Sequence, residues 1–442
     1  MSPVSDPDLT TTLKLASKAL LSTTRGASER EAILEAALMD PRLTAFKREA
    51  LALVISVLHE QDSLDMIIRQ AVPNGTLRIN TLCILRLVAF KARLCKNRDD
   101  LRRLERSIRA VAQIDDLSII ESLLGVAISW NEQLQTSQLP EFDRIGLETH
   151  HSPWWVGYCA RVFGRANAIR LLSSPPRPRY IRVNTLRNRG RATLPLVAKG
   201  LASSLIPVPG TRGVYRLRGS PSAFSDFFSQ GLFQMQDLAS YLAVRAGDPK
   251  PGESVLDLCA APGGKTAAVA QFMRNRGRIV SVDYSNKRMA TWKREIKRLG
   301  VKIAEPVIGD ATRLDVHTKF DLVIIDPPCT GTGVFDRNPS MKWHLSAKSL
   351  SHYATLQANI LESASQFVDD DGRILYCTCS VTIEENEDLI RAFVKSHPDF
   401  EPRPIIDGYG SPGLQGASNC RRFYPHRDNC AGYFVALLQR VY

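Results

Sequence analysis

Nowhere does the chain run eighteen apolar residues together, and its first twelve positions carry no apolar core of the secretory kind. The expectation is therefore a soluble, cytoplasmic chain with no membrane partner. The dinucleotide fingerprint G-x-G-x-x-G is missing. Gly264-Lys265-Thr266 has the ending of a phosphate loop, but the glycine that motif needs five positions earlier is replaced by Cys259. Nucleotide hydrolysis and nicotinamide chemistry are thus excluded at the level of spacing. There is no disulfide framework either. Nine cysteines, an odd number, lie scattered from Cys83 to Cys430 in a 442-residue chain too large to need staples, so they read as reduced thiols. Cys420, His426 and Cys430 lack finger spacing and a fourth ligand, and no metal is expected.

Acid is also missing over a long interval. Between Glu148 and Asp226 there is no Asp or Glu, while thirteen Arg and Lys residues, Arg161 through Arg218, fall inside and equal the whole net charge of +13. Cations without counter-charges repel one another unless a polyanion is the partner, so nucleic acid is expected here. Arg177, Arg179 and Arg182 are the expected phosphate contacts, because 179–184 alternates as a strand with basic and aromatic residues interleaved.

What is present falls into three segments. Residues 1–135 show helical stripes, such as Leu51, Val54, Ile55 and Leu58, or Leu117, Ile120, Leu124 and Ala127. Asn74-Gly75 marks a turn between helices. This all-α bundle resembles, in overall pattern, the bacterial antitermination factor NusB. A polar stretch with Pro140, at 134–143, reads as a linker. Residues 143–228 form a small basic α+β module expected to hold RNA; it opens with Ser152 placed to cap a helix whose first residue is Pro153. Residues 229–442 alternate strand and helix, with strands expected at 255–259, 278–283, 303–309, 321–326 and 372–379. That pattern is a doubly wound, Rossmann-like parallel sheet.

The turn after the first of these strands, Asp257-Leu258-Cys259-Ala260-Ala261-Pro262-Gly263-Gly264-Lys265-Thr266, lies where such a sheet binds its ligand. Asp283, Asp310 and Asp326 stand at or just past the ends of later strands. An acid after the second strand suits ribose hydroxyls, and one after the third suits an adenine amino group. A nucleoside ligand without a phosphate loop points to S-adenosylmethionine. The fourth strand ends in Asp326-Pro327-Pro328-Cys329-Thr330-Gly331-Thr332-Gly333, with a cysteine where amino-group methyltransferases place a base-stacking aromatic. The fifth ends in Tyr376-Cys377-Thr378-Cys379-Ser380.

Two cysteines at the ligand edge suit methylation of a pyrimidine at C5, a poor nucleophile. A thiolate adding at C6 creates an enolate-like centre at C5, and a base must then remove the C5 proton so that the thiolate can leave. An acid on ring N3, for which Asp326 is the candidate, would stabilise the adduct. Cys377 reads as a small buried hydrophobe.

These motifs, with Glu385-Asn386-Glu387, Arg182-Val183-Asn184-Thr185-Leu186, Phe423-Tyr424-Pro425-His426 and Gly432-Tyr433-Phe434, resemble those of the RsmB/Nop2/NSun (Fmu) family of RNA cytosine-5 methyltransferases. The helical front end resembles the RsmB branch. The resemblance implies a nucleophile at Cys379 and a release cysteine at Cys329. It also implies cofactor contacts at Cys259, Ala260, Ala261, Pro262, Gly263, Gly264, Lys265, Asp283, Arg288, Asp310 and Asp326. A monomeric enzyme acting on ribosomal RNA is expected, with transfer RNA as the alternative substrate. A non-catalytic RNA-binding assembly or antitermination factor is the rival of another class.

Overall fold

The computed structural model describes residues 7–73, 77–111, 117–131, 136–188, 202–315, 317–405 and 408–441. Two compact units emerge: Met1–Ser173 together with Phe335–Ser346, and Ser174–Val334 together with Ala347–Tyr442. None of the described helices is long and apolar enough to cross a membrane.

The first unit is all-α. It comprises α1 (Pro7–Thr23), α2 (Glu29–Leu38), α3 (Lys47–His59), α4 (Gln61–Ala71), α5 (Ile79–Arg93), α6 (Arg98–Val111) and α7 (Leu117–Ser129), followed by α8 (Glu141–Thr149), α9 (Pro153–Phe163) and α10 (Arg165–Leu172). The apolar stripes close on one core in which Leu15, Val54, Ile67, Leu85 and Ile108 are buried. Val54 and Leu58 of the expected stripe are inside, as are Ile120, Leu124 and Ala127. Local chemistry sets the helix starts. Ser28 and Glu31 form a reciprocal capping box at α2, worth about 1 kcal/mol. Ser152 Oγ accepts from Trp155 N at 3.3 Å, with Pro153 in the first turn. Trp155 is buried and stacks on Tyr158, with centroids 5.0 Å apart. The stretch read as a linker gives way to helix directly after Pro140. The Asn74-Gly75 turn lies outside the described residues.

Phe335–Ser346, distant in sequence, completes this unit. Its short helix, Ser340–His344, is held by polar bonds to the bundle. Ser340 N donates to Glu29 Oε1 at 2.8 Å, Trp343 Nε1 to Leu58 O at 2.7 Å, and Lys342 Nζ to His150 O at 3.1 Å. Burial pulls the Lys342 ammonium down to about 8.

The second unit contains two sheets. The smaller is antiparallel, in the order β2 (Leu205–Pro207), β3 (Val214–Leu217), β1 (Arg179–Val183), β4 (Phe233–Met235). Here the structure corrects the expected phosphate-contact surface. Strand β1 is central, bonded on both edges by β3 and β4, and only Arg179 of its five residues is exposed. Arg177 is turned inward, its Nη1 3.1 Å from Asp237 Oδ2, and Arg182 is 2% exposed. A counter-charge for the acid-free interval thus comes from outside it. Arg187 likewise spends its guanidinium on the carbonyls of Lys297 and Arg298. Arg179, Arg212, Arg216 and Arg218 remain exposed, while Arg189, Arg191 and Lys199 lie outside the described residues.

The larger sheet runs β11 (Ser411–Pro412), β12 (Arg421–Phe423), β13 (Tyr433–Arg440), β9 (Val368–Thr378), β8 (Phe320–Ile325), β5 (Ser254–Leu258), β6 (Arg278–Asp283), β7 (Ala304–Ile308), with β10 (Phe400–Arg403) also on β13. Strands β9, β8, β5, β6 and β7 are parallel, as the strand–helix alternation predicts. The antiparallel flank on β13 was not expected. The two faces of the parallel core bury different residues. Val255, Leu322, Ile324 and Leu375 join one cluster, while Leu256, Leu258, Val323 and Ile325 join another. Helices cover both faces: α11 (Leu238–Gly247), α12 (Gly264–Phe272), α13 (Asn286–Leu299), α14 (Ala347–Ser365) and α15 (Glu387–Ser396).

Candidate active site

The parallel register aligns the carboxyl ends of the strands, pairing Leu258 with both Val282 and Ile325, Asp283 with Ile308, and Ile325 with Tyr376. Loops leaving those ends form one edge. At its centre, β5 stops at Cys259, whose φ of 61° is left-handed, and Ala260 N bonds back to Val282 O at 2.9 Å. Gly263, at φ 100°, starts α12 without a side-chain cap. A Cβ on Gly263 would lie 3.0 Å from Trp292 Cδ1, so glycine is required both by conformation and by space. The first amides of α12 are left to face a ligand.

Beneath the turn, Asp257 is fully buried. Its Oδ2 accepts from Thr266 Oγ1 at 2.5 Å, its Oδ1 has no partner, and burial raises the carboxyl to about 7. Asp283 braces the turn from the side. Oδ2 accepts from Ala261 N at 3.2 Å, Oδ1 from Ser285 N at 3.0 Å, and Arg288 Nη2 lies 3.4 Å from Oδ2 while donating to Ala261 O at 2.5 Å. Asp310 stands apart at the end of β7. It is exposed and bonded to Thr312 N and Oγ1 at 2.9 and 2.8 Å, bonds that lower its carboxyl below the ordinary value.

The other candidates converge. Lys265 Nζ is 2.5 Å from Asp326 Oδ2. Burial opposes the Lys265 charge, but Asp326 more than offsets this and holds the ammonium above its usual value. Tyr433 OH reaches Asp326 Oδ1 at 3.4 Å, and its ring lies 5.5 Å from Lys265 Nζ. Cys329 Sγ and Cys379 Sγ are 3.2 Å apart. The hydrogen bond with Cys379, and then burial, push the Cys329 thiol well above its ordinary value. Cys379 is part-exposed and Cys329 nearly buried, so of the two sulfurs Cys379 is the more open. Cys377 is wholly buried, and burial raises it to about 12.

Glu385 was quoted only as part of a motif, yet it ties the two cysteine loops together. Its buried carboxylate accepts from Thr330 N at 2.8 Å and Thr330 Oγ1 at 2.5 Å on the Cys329 loop, and from Ser380 Oγ at 2.5 Å and Thr382 Oγ1 at 2.7 Å beyond Cys379. Gln357 Nε2 adds a further bond at 2.9 Å. Asn386 accepts from Thr378 Oγ1 at 2.6 Å, and Glu387 pairs with buried Arg422. Tyr433 was also missed as an individual residue, because 107 positions separate it from Asp326.

A glycine-bearing turn at the switch of a doubly wound sheet, with acids on the adjoining strand ends, suits a nucleoside cofactor, and the relatives identify the class as S-adenosylmethionine-dependent methyltransferases. The family described as 16S rRNA methyltransferase RsmB/F matches residues 244–439. A probable ribosomal RNA small subunit methyltransferase B of Bacillus subtilis is 32% identical over 66% of this chain and 69% of its own. A tRNA (cytosine(72)-C(5))-methyltransferase of Pyrococcus horikoshii is 35% identical over 48% of this chain and 54% of its own. The solved structure of PH0851 superposes with a TM-score of 0.83 at 25% identity, covering 99% of this chain and 100% of that one. The chain belongs to the RsmB/F family and is an RNA cytosine-C5 methyltransferase that uses S-adenosylmethionine.

Proposed function

We propose that the chain methylates a cytosine of ribosomal RNA through a covalent adduct between Cys379 Sγ and C6 of the base. The carrying observation is the 3.2 Å separation of two chemically unequal thiols, one open and one enclosed. Cys379 thiolate attacks C6, and negative charge spreads toward N3, where Asp326, taking a proton from the Lys265 ammonium 2.5 Å away, would donate a hydrogen bond to the ring. The 259–265 turn, Asp283, Arg288 and Asp310 would hold S-adenosylmethionine, which would supply the methyl group. The bare turn at Gly263 and the uncapped start of α12 support that assignment.

The Cys329 shift suggests how order is kept. While Cys379 is free, the hydrogen bond between the two sulfurs holds the Cys329 proton. Once Cys379 becomes a thioether it can no longer serve as the thiol partner of that hydrogen bond, and only burial still raises Cys329. Cys329, having given its own proton to solvent water, would take the proton on C5 as thiolate; the C5–H electron pair then re-forms the ring double bond, the C6–S bond breaks and Cys379 leaves as thiolate.

Ribosomal RNA is favoured over transfer RNA because the Bacillus relative is matched across more of both chains. The test is a denaturing gel of each cysteine variant with ribosomal RNA and cofactor. Cys329→Ala should methylate once and stay attached, giving a slow band that needs both RNA and cofactor. Cys379→Ala should give neither band nor product. A stalled band from the Cys379 variant would reverse the roles, and full activity in both variants would end the thiol mechanism. If only transfer RNA supported the band, the substrate assignment would fall while the chemistry stood.

A further inference from the structure

Arg182 presents a charge that the methyl-transfer reading does not use. Its side chain is fully enclosed, with Nε donating to Gln236 Oε1 at 2.7 Å, yet neither terminal nitrogen has an acceptor. Burial lowers the guanidinium to about 10, which leaves it charged at neutral pH. An enclosed cation with a single neutral partner is costly unless an anion compensates it. Arg182 forms part of the wall of a cavity of about 600 Å³, together with Arg212, Arg274, Tyr241, Gln271 and Phe272. No carboxylate is among its described lining residues. Arg212 and Arg274 are exposed, so two further guanidinium groups stand at the solvent side.

We propose that this cavity binds a phosphate group of a nucleotide unit. Arg212 and Arg274 offer exposed forked donors that suit phosphate oxygens, and Arg182 adds an uncompensated buried charge in the wall behind them. The volume is in the range of small-ligand sites and exceeds what a bare oxyanion needs. Tyr241 and Phe272, stacked 5.9 Å apart, add an aromatic surface beside the charges. One feature opposes the site: α12 ends at Phe272, and a helix C-terminus carries roughly half a negative charge. Three full positive charges outweigh it. The Gln271–Asn275 part of its wall lies at the far end of α12 from the Gly263 turn, while Arg182 is linked back toward that turn through Gln236, whose Nε2 lies 3.5 Å from Gly264 O; occupancy of the cavity does not depend on the methyl-transfer reading.

The phosphate could be free or part of an RNA chain, and two probes separate these sources: inorganic phosphate, and a short unstructured oligoribonucleotide lacking terminal phosphates. The full-length protein is titrated with each at constant ionic strength, and thermal midpoint and affinity are read. Saturable binding of inorganic phosphate identifies a site open to free phosphates, whereas saturation only by the oligoribonucleotide identifies a backbone site. In either case Arg212→Ala with Arg274→Ala should weaken binding at least tenfold and leave S-adenosylmethionine affinity unchanged. Arg182→Met should abolish it; the exposed double variant keeps the test valid if that substitution disturbs folding. The proposal is overturned if neither probe saturates, or if the double variant binds as tightly as the parent. It is equally overturned if Arg182→Met folds with unaltered phosphate and RNA affinity, since Arg182 would then be only a buried cation.

Discussion

Asp257 sits in an environment at odds with its chemistry. It sits at zero exposure under the cofactor turn with one oxygen unsatisfied. The folded carboxyl titrates near 7 against 3.8 for the free group, chiefly because burial disfavours the anion. Below pH 3.8 it is protonated in both states and its contribution is complete. Between 3.8 and about 7 the folded chain keeps a proton that the unfolded chain releases, so stability falls as pH rises through that window. The slope approaches about 1.4 kcal/mol per pH unit for this one group. Asp257→Asn keeps an oxygen for Thr266 and cannot titrate. The urea midpoint of the parent should therefore fall steadily relative to that of the variant from pH 4 to 7, and a constant difference would assign the pH dependence elsewhere. Trp292 sets a second residue-scale limit. Gly263→Ala would force a methyl group to 3.0 Å from its ring at a backbone angle that disfavours any side chain. We expect a lower thermal midpoint and at least tenfold weaker S-adenosylmethionine binding by calorimetry, whereas Gly264→Ala, which meets nothing within 4 Å, should fold normally.

Among the elements, the loops after β8 and β9 act as one piece because Glu385 joins them. Removing its carboxylate leaves a backbone N–H and several hydroxyl groups without their acceptor, which should cost about 3 kcal/mol or more. Glu385→Ala should thus lower the denaturant midpoint and depress methyl transfer more than cofactor affinity, since neither Gly263 nor Asp283 bonds to it. Equal losses of both would indicate general unfolding instead. The 259–265 turn was legible in the sequence because its information is local: an apolar run, a glycine-rich break and a helix start within thirteen residues. The strand ends carrying Asp283, Asp326 and Cys379 were legible for the same reason. Glu385 was not, because nothing in its residue type tells that Thr330, fifty-five positions earlier, lies against it. Arg177 and Arg182 misled in the opposite direction. The acid-free run of arginines reads as a phosphate-contacting surface, but the central place of β1 turns Arg182 inward and Asp237, from outside the run, draws in Arg177. The antiparallel β13 escaped notice because its continuous apolar run has no alternation to mark it as a strand.

For the whole molecule, the charge excess should express itself through the arginines that remain outside. Neutralising Arg179, Arg216 and Arg218 together should reduce the log–log salt slope of RNA binding by about 0.7 to 0.9 for each phosphate that is no longer neutralised. Neutralising Arg177, already paired with Asp237, should leave the slope unchanged and lower stability. If the exposed triple variant binds RNA with the parent's salt slope, this surface does not touch the phosphates. The helical unit raises a different matter, one of timing. Its bundle helices are synthesised first, but Trp343 and Ser340, which bond to Leu58 and Glu29, come from Phe335–Ser346. At about 5 to 20 residues per second, roughly ten to thirty seconds pass between the emergence of Ser173 and that of the missing segment. A ribosome that stalls anywhere in this interval holds out a bundle with Glu29 lacking the amide of Ser340 and the place of Trp343 unfilled. The nascent chain therefore cannot finish its first unit until most of its second has been translated.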